Sequence, residues 1–264
     1  VKIAVLVKEV PDAAVQKRID PATGRLDRSG EKNLNPYDTH ALEAAIQIRE
    51  GGAVPVEEIV AITAGPESAV RTLHKAVSLG ADRSIHLTDE ALAGSDVVAT
   101  GYALAKVLER ENPDLVLLGQ QSDDGQCYSI GAVVAEFLGR PSVTQVIKLD
   151  VSGDELTCER QAEYGYDTVK VKLPAVISVG DAINEPRYPS LKAIMSAKKK
   201  PLETLSAADA GIDTGRVGAD GSNVQCGDFK EPPQKEPGTI IEDEDTDATV
   251  EKIIAWLEER KLLA

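Results

Sequence analysis

Through residue 140 the hydrophobic positions follow two alternating patterns. Ile3-Ala4-Val5-Leu6-Val7, Ile59-Val60-Ala61-Ile62-Thr63 and Leu115-Val116-Leu117-Leu118 are short continuous apolar runs, and Ser84-Ile85-His86-Leu87 is a shorter one. Such runs read as buried strands. Between them apolar residues recur at helical spacing. Leu42, Ala45 and Ile46 share one face of a helix that opens at Asn35-Pro36-Tyr37-Asp38 and stops at Gly51-Gly52. Ala69, Val70, Leu73, Ala76 and Val77 form a second stripe that ends at Gly80. Ser95-Asp96 reads as the cap of a third helix running through Leu108, and a fourth closes at Gly139-Arg140-Pro141. Alternation of strand and helix predicts an α/β fold of three layers, a mostly parallel sheet flanked by helices.

After Pro141 the period changes to two. Val143, Gln145 and Ile147 form one set, and Val169-Lys170-Val171-Lys172-Leu173 alternates cleanly. Ser152-Gly153-Asp154-Glu155 reads as a hairpin turn, so antiparallel strands are added to the sheet. Pro174 to Val179 is another buried strand. Residues 13–34 are polar, with a turn at Pro21-Ala22-Thr23-Gly24. Residues 211–245 are rich in Gly, Pro, Asp and Glu, and Glu231-Pro232-Pro233-Gln234-Lys235-Glu236-Pro237 reads as an extended arm. A last amphipathic helix follows, from about Thr246 to Leu263, with Val250, Ile253, Ile254, Leu257 and Leu262 as its stripe. The expected organisation is an α/β domain over 1–210 and a C-terminal arm with its helix over 211–264. That helix packs on another subunit or back on its own domain.

Composition narrows the function. Of 264 residues, 42% are hydrophobic and 3% aromatic, so the core is aliphatic. The formal net charge is −15, and a face of that sign argues against nucleic-acid binding. Cys127, Cys158 and Cys226 lie far apart, without metal-ligand spacing or a disulfide framework. The expectation is a reducing compartment and no metal. No signal-peptide pattern and no membrane-spanning run appear.

The strongest candidate site follows the run that ends at Gly119. Asp123-Asp124-Gly125-Gln126-Cys127-Tyr128-Ser129 is a polar loop that feeds a helix beginning Ile130-Gly131-Ala132. A strand–loop–helix of this kind presents backbone N–H groups to an anion. Gly125 and Gln126 are the expected backbone donors, Tyr128 and Ser129 the hydroxyl donors, and Cys127 is a packing residue. The loop has no P-loop or GxGxxG pattern and no lysine for a γ-phosphate, which favours a monophosphate. Asn35 and Asp38 read as helix caps, or as a backbone frame for an adenine edge. The ends of three strands, at Leu6, Ala64 and Gly119, would share one rim with these loops. His40, His74 and His86 are scattered and form no catalytic spacing. No acid–base pair or activated nucleophile stands out, which favours a binding or carrier chain over an enzyme. Lys198-Lys199-Lys200 reverses the sign of the chain locally, after the apolar Leu191, Ile194 and Met195. An apolar anchor beside charge is a docking composition.

These residues together resemble the electron transfer flavoprotein β-subunit family over nearly the whole chain. The resemblance rests on Val5-Leu6-Val7-Lys8, on Asn35-Pro36 before a helix, and on Gly80-Ala81-Asp82-Arg83. It also rests on Asp114 to Gln121 and Lys172-Leu173-Pro174-Ala175-Val176. Its most specific parts are Asn184-Glu185-Pro186-Arg187-Tyr188, Ile194-Met195 and Ala197-Lys198-Lys199-Lys200.

The resemblance implies an adenine nucleotide α-hydrolase-like fold and a heterodimer with an α subunit that carries most of the FAD contacts. It implies electron transport from primary dehydrogenases, docked transiently, through that flavin to an acceptor. It implies a structural AMP, or a second FAD as in bifurcating relatives. Nucleotide contacts would come from Leu6, from Asn35, Pro36, Tyr37 and Asp38, and from Ala64. They would continue through Asp124, Gly125, Gln126, Cys127, Tyr128, Ser129, Ile130 and Gly131, with Val134 and Ala135. Dehydrogenase docking would use Tyr188, Pro189, Ser190, Leu191, Ile194, Met195, Lys198, Lys199 and Lys200, with Leu191 as the anchor. The C-terminal arm would pack on the α subunit. The compartment would be the cytoplasm, or the mitochondrial matrix in a eukaryote. Two positions depart from the family pattern: Ala13 stands where some members place a tyrosine near the flavin, and Tyr164-Gly165-Tyr166 partly replaces an acidic cluster. Rival readings are a stand-alone nucleotide-binding enzyme, such as an adenylating enzyme, and an AMP-binding stress protein of the same fold.

Overall fold

The structure is a computed structural model. It describes residues 1–225, 227, 233, 237–238, 240–241 and 245–263. Cys226 and most of the proline-rich run at 231–237 lie outside the described residues. The chain divides into two units, Val1–Asp228 and Phe229–Ala264.

The first unit alternates as its apolar runs predict. Strand β1 (Lys2–Leu6) leads through β2 (Glu9–Pro11), β3 (Ile19–Asp20), β4 (Arg25–Leu26) and β5 (Lys32–Leu34) to helix α1 (Pro36–Gly51). Then come β6 (Glu58–Ala64), α2 (Val70–Leu79), β7 (Arg83–Leu87), α3 (Val97–Glu111), β8 (Leu115–Gly119) and α4 (Ile130–Leu138). The antiparallel strands β9 (Ser142–Ser152), β10 (Glu155–Ala162) and β11 (Gly165–Lys172) follow, then β12 (Ala175–Val179), α5 (Leu191–Ala197) and β13 (Leu202–Leu205). The second unit holds helix α6 (Thr246–Glu259). Within that unit Val250, Ile253, Ile254 and Trp256 are exposed. No helix among the described residues is long and apolar enough to cross a membrane.

Among the described residues nine strands form one sheet in the order β11-β10-β9-β12-β8-β1-β6-β7-β13. From β9 to β13 the pairings are parallel; β9, β10 and β11 pair antiparallel. The parallel strands are buried on both faces, which is why they read as continuous apolar runs. Alternate residues feed two cores. Ile3, Val5, Ile59 and Leu117 pack with α1 and α2, while Ala4, Leu6, Val60 and Leu118 pack with α3 and α4. From β1 the chain runs outward through β6 and β7, then returns to β8 on the other side of β1. That reversal opens a crevice beyond the carboxyl ends of β1, β6 and β8, where ligands of such sheets bind.

Two expectations need correction. Val143, Gln145 and Ile147 do not form one face. Val143 stands opposite Ile177 and Val146 opposite Val179, so three steps on β9 match two on β12. Gln145, at φ 57°, absorbs the extra residue, and Val146 takes the buried place. A single bulge inverts the alternation beyond it. The polar stretch 13–34 is also more than a turn: β2 pairs with β5, and β3 with β4 around Pro21-Ala22-Thr23-Gly24.

Candidate functional site

A cavity of about 350 Å³ opens at the carboxyl ends of β1, β6 and β8. Leu6, Asn35, Asp38, Ala64, Gly125, Cys127 and Ile130 line it, so the three predicted loops do converge. Lys8, Ser95, Asp96, Thr100 and Gln121 line it as well.

The head of α1 is fixed by side chains that read as caps but do other work. Asn35, at the N-cap position, makes no side-chain cap bond. Its Nδ2 donates to the Gln121 carbonyl at 2.8 Å, and its Oδ1 accepts from the Asp123 amide at 3.0 Å. Asp38 accepts from the amides of Lys8 at 2.8 Å and Gly119 at 3.2 Å. One buried carboxylate thus ties the ends of β1 and β8 to the first turn of α1. Burial pushes the Asp38 carboxyl up to about 7, against the hydrogen bonds that favour its charge. Only glycine fits at the end of β8: a Cβ on Gly119 would lie 2.5 Å from the Tyr37 Cβ and 2.6 Å from its carbonyl carbon. Tyr37 therefore packs against the end of β8, Pro36 is exposed, and neither lines the cavity.

The loop after β8 is folded on Ser122. The Ser122 Oγ accepts from the Gly125 amide at 3.2 Å, and the Ser122 carbonyl accepts from the Gln126 amide at 2.9 Å. The two expected anion donors, Gly125 and Gln126, are therefore spent inside the loop. Gln126 and Tyr128 adopt φ of 47° and 55°, a region that non-glycine residues seldom enter. Beyond this turn the amides of Cys127, Tyr128, Ser129, Ile130, Gly131 and Ala132 find no acceptor among the described residues. Unpaired donors at the head of a helix suit an anion, and these six form a candidate cradle. Close beside it the Gln121 Oε1 is buried without a partner among the described residues. Gly131 lets α4 approach β8: a Cβ there would sit 3.3 Å from Leu118. Val134 and Ala135 lie in the core under the cradle and do not reach the cavity.

The loop does have a lysine, supplied from far away in sequence. The Lys8 Nζ donates to the Ser122 Oγ at 3.1 Å and to the Asp124 Oδ1 at 2.7 Å. A motif read along the loop cannot show it, whereas the sharp exit of the chain after β1 brings it there. Burial alone would raise the Asp124 carboxyl, but the Lys8 charge outweighs it, with hydrogen bonds from Lys8, Ser122 and Arg28, and holds it at about 2. The packing role expected of Cys127 is not seen, since the residue is exposed at the cavity rim. Asp96 is a cap as read, accepting from the Ala99 amide at 2.8 Å, and it also lines the cavity.

The second predicted region stands apart from the cavity. Tyr188, Leu191 and Met195 are 97%, 80% and 78% exposed, and Ile194 is half-exposed. Ser190 caps α5 through the Ala193 amide, and Ala197 anchors the helix in the core. Lys198 and Lys199 are exposed, whereas the Lys200 Nζ donates to the Ala81 carbonyl at 3.1 Å. Pro189 lies between Tyr188 and the cap. Arg187 holds the base of this segment to α1 by bonds to Glu43 and Glu50.

The histidines assemble no acid–base system. His40 bonds to Asn184, His86 is buried with its Nε2 at 3.0 Å from the Gly65 carbonyl, and His74 lies on α2. No group of three or more His, Cys, Asp or Glu among the described residues is arranged to hold a metal ion.

The chain matches known proteins throughout. The family model for the electron transfer flavoprotein domain matches residues 23–210. The electron transfer flavoprotein subunit beta of Mycobacterium tuberculosis is 39% identical over 267 residues, covering 99% of both chains. That of Thermoanaerobacterium thermosaccharolyticum is 41% identical, covering 90% of this chain and 91% of its own. The Bos taurus subunit is 35% identical, covering 97% and 96%. With its alternating sheet and added antiparallel strands, the chain belongs to the electron transfer flavoprotein β-subunit family.

Proposed function

We propose that this chain is the nucleotide-holding, docking half of an electron-carrying heterodimer. Its partner is the α subunit, which carries FAD, and the complex passes electrons from primary dehydrogenases to an acceptor. The flavin supplies the redox chemistry when bound; this chain's residues hold, orient and dock.

The observation that carries the nucleotide part is the row of unpaired amides from Cys127 to Ala132, of which Cys127 and Ile130 line the cavity while Tyr128, Ser129, Gly131 and Ala132 lie beside it. A nucleotide monophosphate fits that donor set. The phosphate would take the amides, and the adenosine would lie over Leu6, Ile62, Ala64 and Leu118, with Gln121 as a polar partner. The volume sits at the low end of ligand pockets, roughly 300–1,000 Å³, which favours a mononucleotide over a dinucleotide. AMP is the structural ligand in this reading, and Tyr37, Val134 and Ala135 support the site from behind.

Docking falls to the segment Tyr188–Lys200. An exposed leucine on a well-anchored short helix makes a small apolar knob, suited to a transient complex. The exposed stripe of α6 is the part of the C-terminal arm that packs on the α subunit. Co-expression tests the assembly: the chain alone should purify colourless, and with the α subunit it should purify as a yellow one-to-one complex. A chain that stays separate from the α subunit would overturn the assignment.

A further inference from the structure

The anion cradle carries a charge problem of its own. Two carboxylates, Asp123 and Asp124, precede the six unpaired amides by only a few residues, and the Asp124 side chain is fully buried. An ionised carboxylate at that place repels an anionic ligand, and burial weakens the screening that water would supply. Asp124 does not escape by taking a proton, because its surroundings hold it ionised at neutral pH.

The compensation comes from the polar stretch between β2 and β5. Arg28 donates Nε and Nη2 to the Asp124 Oδ2 at 2.9 and 2.7 Å. Lys17 donates to the Asp123 carbonyl at 2.8 Å and to its Oδ2 at 2.7 Å. Lys8 takes the other oxygen of Asp124. Three cations thus stand on two carboxylates. Neither Lys17 nor Arg28 lines the cavity. The same stretch reaches the opposite wall, where the Arg25 Nη2 donates to the Gly94 carbonyl at 3.1 Å, next to Ser95 and Asp96.

We infer that Arg28 and Lys17 are positioning residues of the nucleotide site, which cancel the charge of the Asp123–Asp124 pair so that the cradle accepts a phosphate. They act through the two aspartates and touch no ligand. The inference rests on the nucleotide reading above and adds residues to it. It also gives the excursion between β2 and β5 a task that no core packing explains, since nearly all of its residues are exposed or half-buried.

The discriminating probe is a pair of ligands that differ only in the phosphate. The full chain and its variants are titrated with AMP and with adenosine by calorimetry. Arg28→Gln should weaken AMP by roughly ten-fold or more, while adenosine changes little. Lys17→Gln should act in the same direction, more weakly, because its partner is more exposed. The double variant Arg28→Gln/Asp124→Asn removes both charges and should recover most of the AMP preference. The AMP-to-adenosine ratio of Arg28→Gln should fall further below that of the unaltered chain at low ionic strength, where the lost positive charge acts over longer range. An unchanged ratio in Arg28→Gln, or an equal loss of both ligands that the double variant does not repair, would overturn the inference. If the unaltered chain binds neither ligand, the nucleotide reading itself falls.

Discussion

Arg187 donates its Nε and Nη2 to the carboxylate of Glu43 at 2.8 and 2.9 Å, and Glu43 is almost fully buried on α1. The segment after β12 is thereby bolted to the helix whose first turn, through Asp38, lines the cavity. The exposed segment Tyr188–Lys200 and the cavity thus share helix α1, though no residue of that segment lines the cavity.

That pair sets the first expectation. Arg187→Ala leaves Glu43 buried without its partner, and the cost should be about 2 kcal/mol, below that of a fully buried pair because Arg187 is 38% exposed. Burial acts to raise the Glu43 carboxyl, but the bonds from Arg187 outweigh it and lower it. A depressed carboxyl stabilises the fold above its unfolded range and loses that contribution as pH falls through the folded value. Urea titrations at pH 7 and pH 3.5 should therefore show a gap between wild type and variant that narrows in acid. A gap of equal size at both would contradict the account.

Asp38 should give the opposite slope. Its carboxyl titrates near 7 in the folded chain and near 3.8 when unfolded. Between those values the folded state holds the extra proton, so this group's contribution to stability falls as pH rises and levels off above about 7. Asp38→Asn should lack that component, although it loses one of the two amide bonds at every pH. The wild-type-minus-variant difference in urea midpoint should fall from pH 5 to about pH 7 and stay level from there to pH 8.5. A pH-independent difference would mean that Asp38 stays ionised throughout.

Leu191 is 80% exposed, so Leu191→Ala should change stability by no more than about 0.5 kcal/mol. Under the docking proposal it should slow reduction of the heterodimer's flavin by a dehydrogenase while leaving nucleotide content intact. Stopped-flow reduction traces that match the unaltered protein would remove Leu191 from the docking surface.

The sequence made the frame legible because buried parallel strands leave continuous apolar runs, and Ile3–Val7 and Leu115–Leu118 could be little else. The rim was legible for the same reason: strand ends at Leu6, Ala64 and Gly119 had to meet. Other features were hidden by distance or by a single residue. Lys8 lies next to Asp124 only because the chain turns after β1, and no spacing along the loop reveals it. Arg28 reaches Asp124 from a stretch whose polarity looked like solvent exposure alone. Asn35 and Asp38 stand where caps stand, and only coordinates show that their side chains face another loop and another strand. The bulge at Gln145 reversed an alternation that was otherwise clean. Donor use inside a turn is likewise a geometric matter, so the free amides begin at Cys127 and not at Gly125.

The central claim is that the cradle from Cys127 to Ala132 holds a nucleotide monophosphate in the assembled protein. Denaturing the purified heterodimer and identifying the released small molecules by mass spectrometry tests it most directly. The account predicts AMP and FAD in a one-to-one ratio. Two FAD and no AMP, or FAD alone, would contradict it.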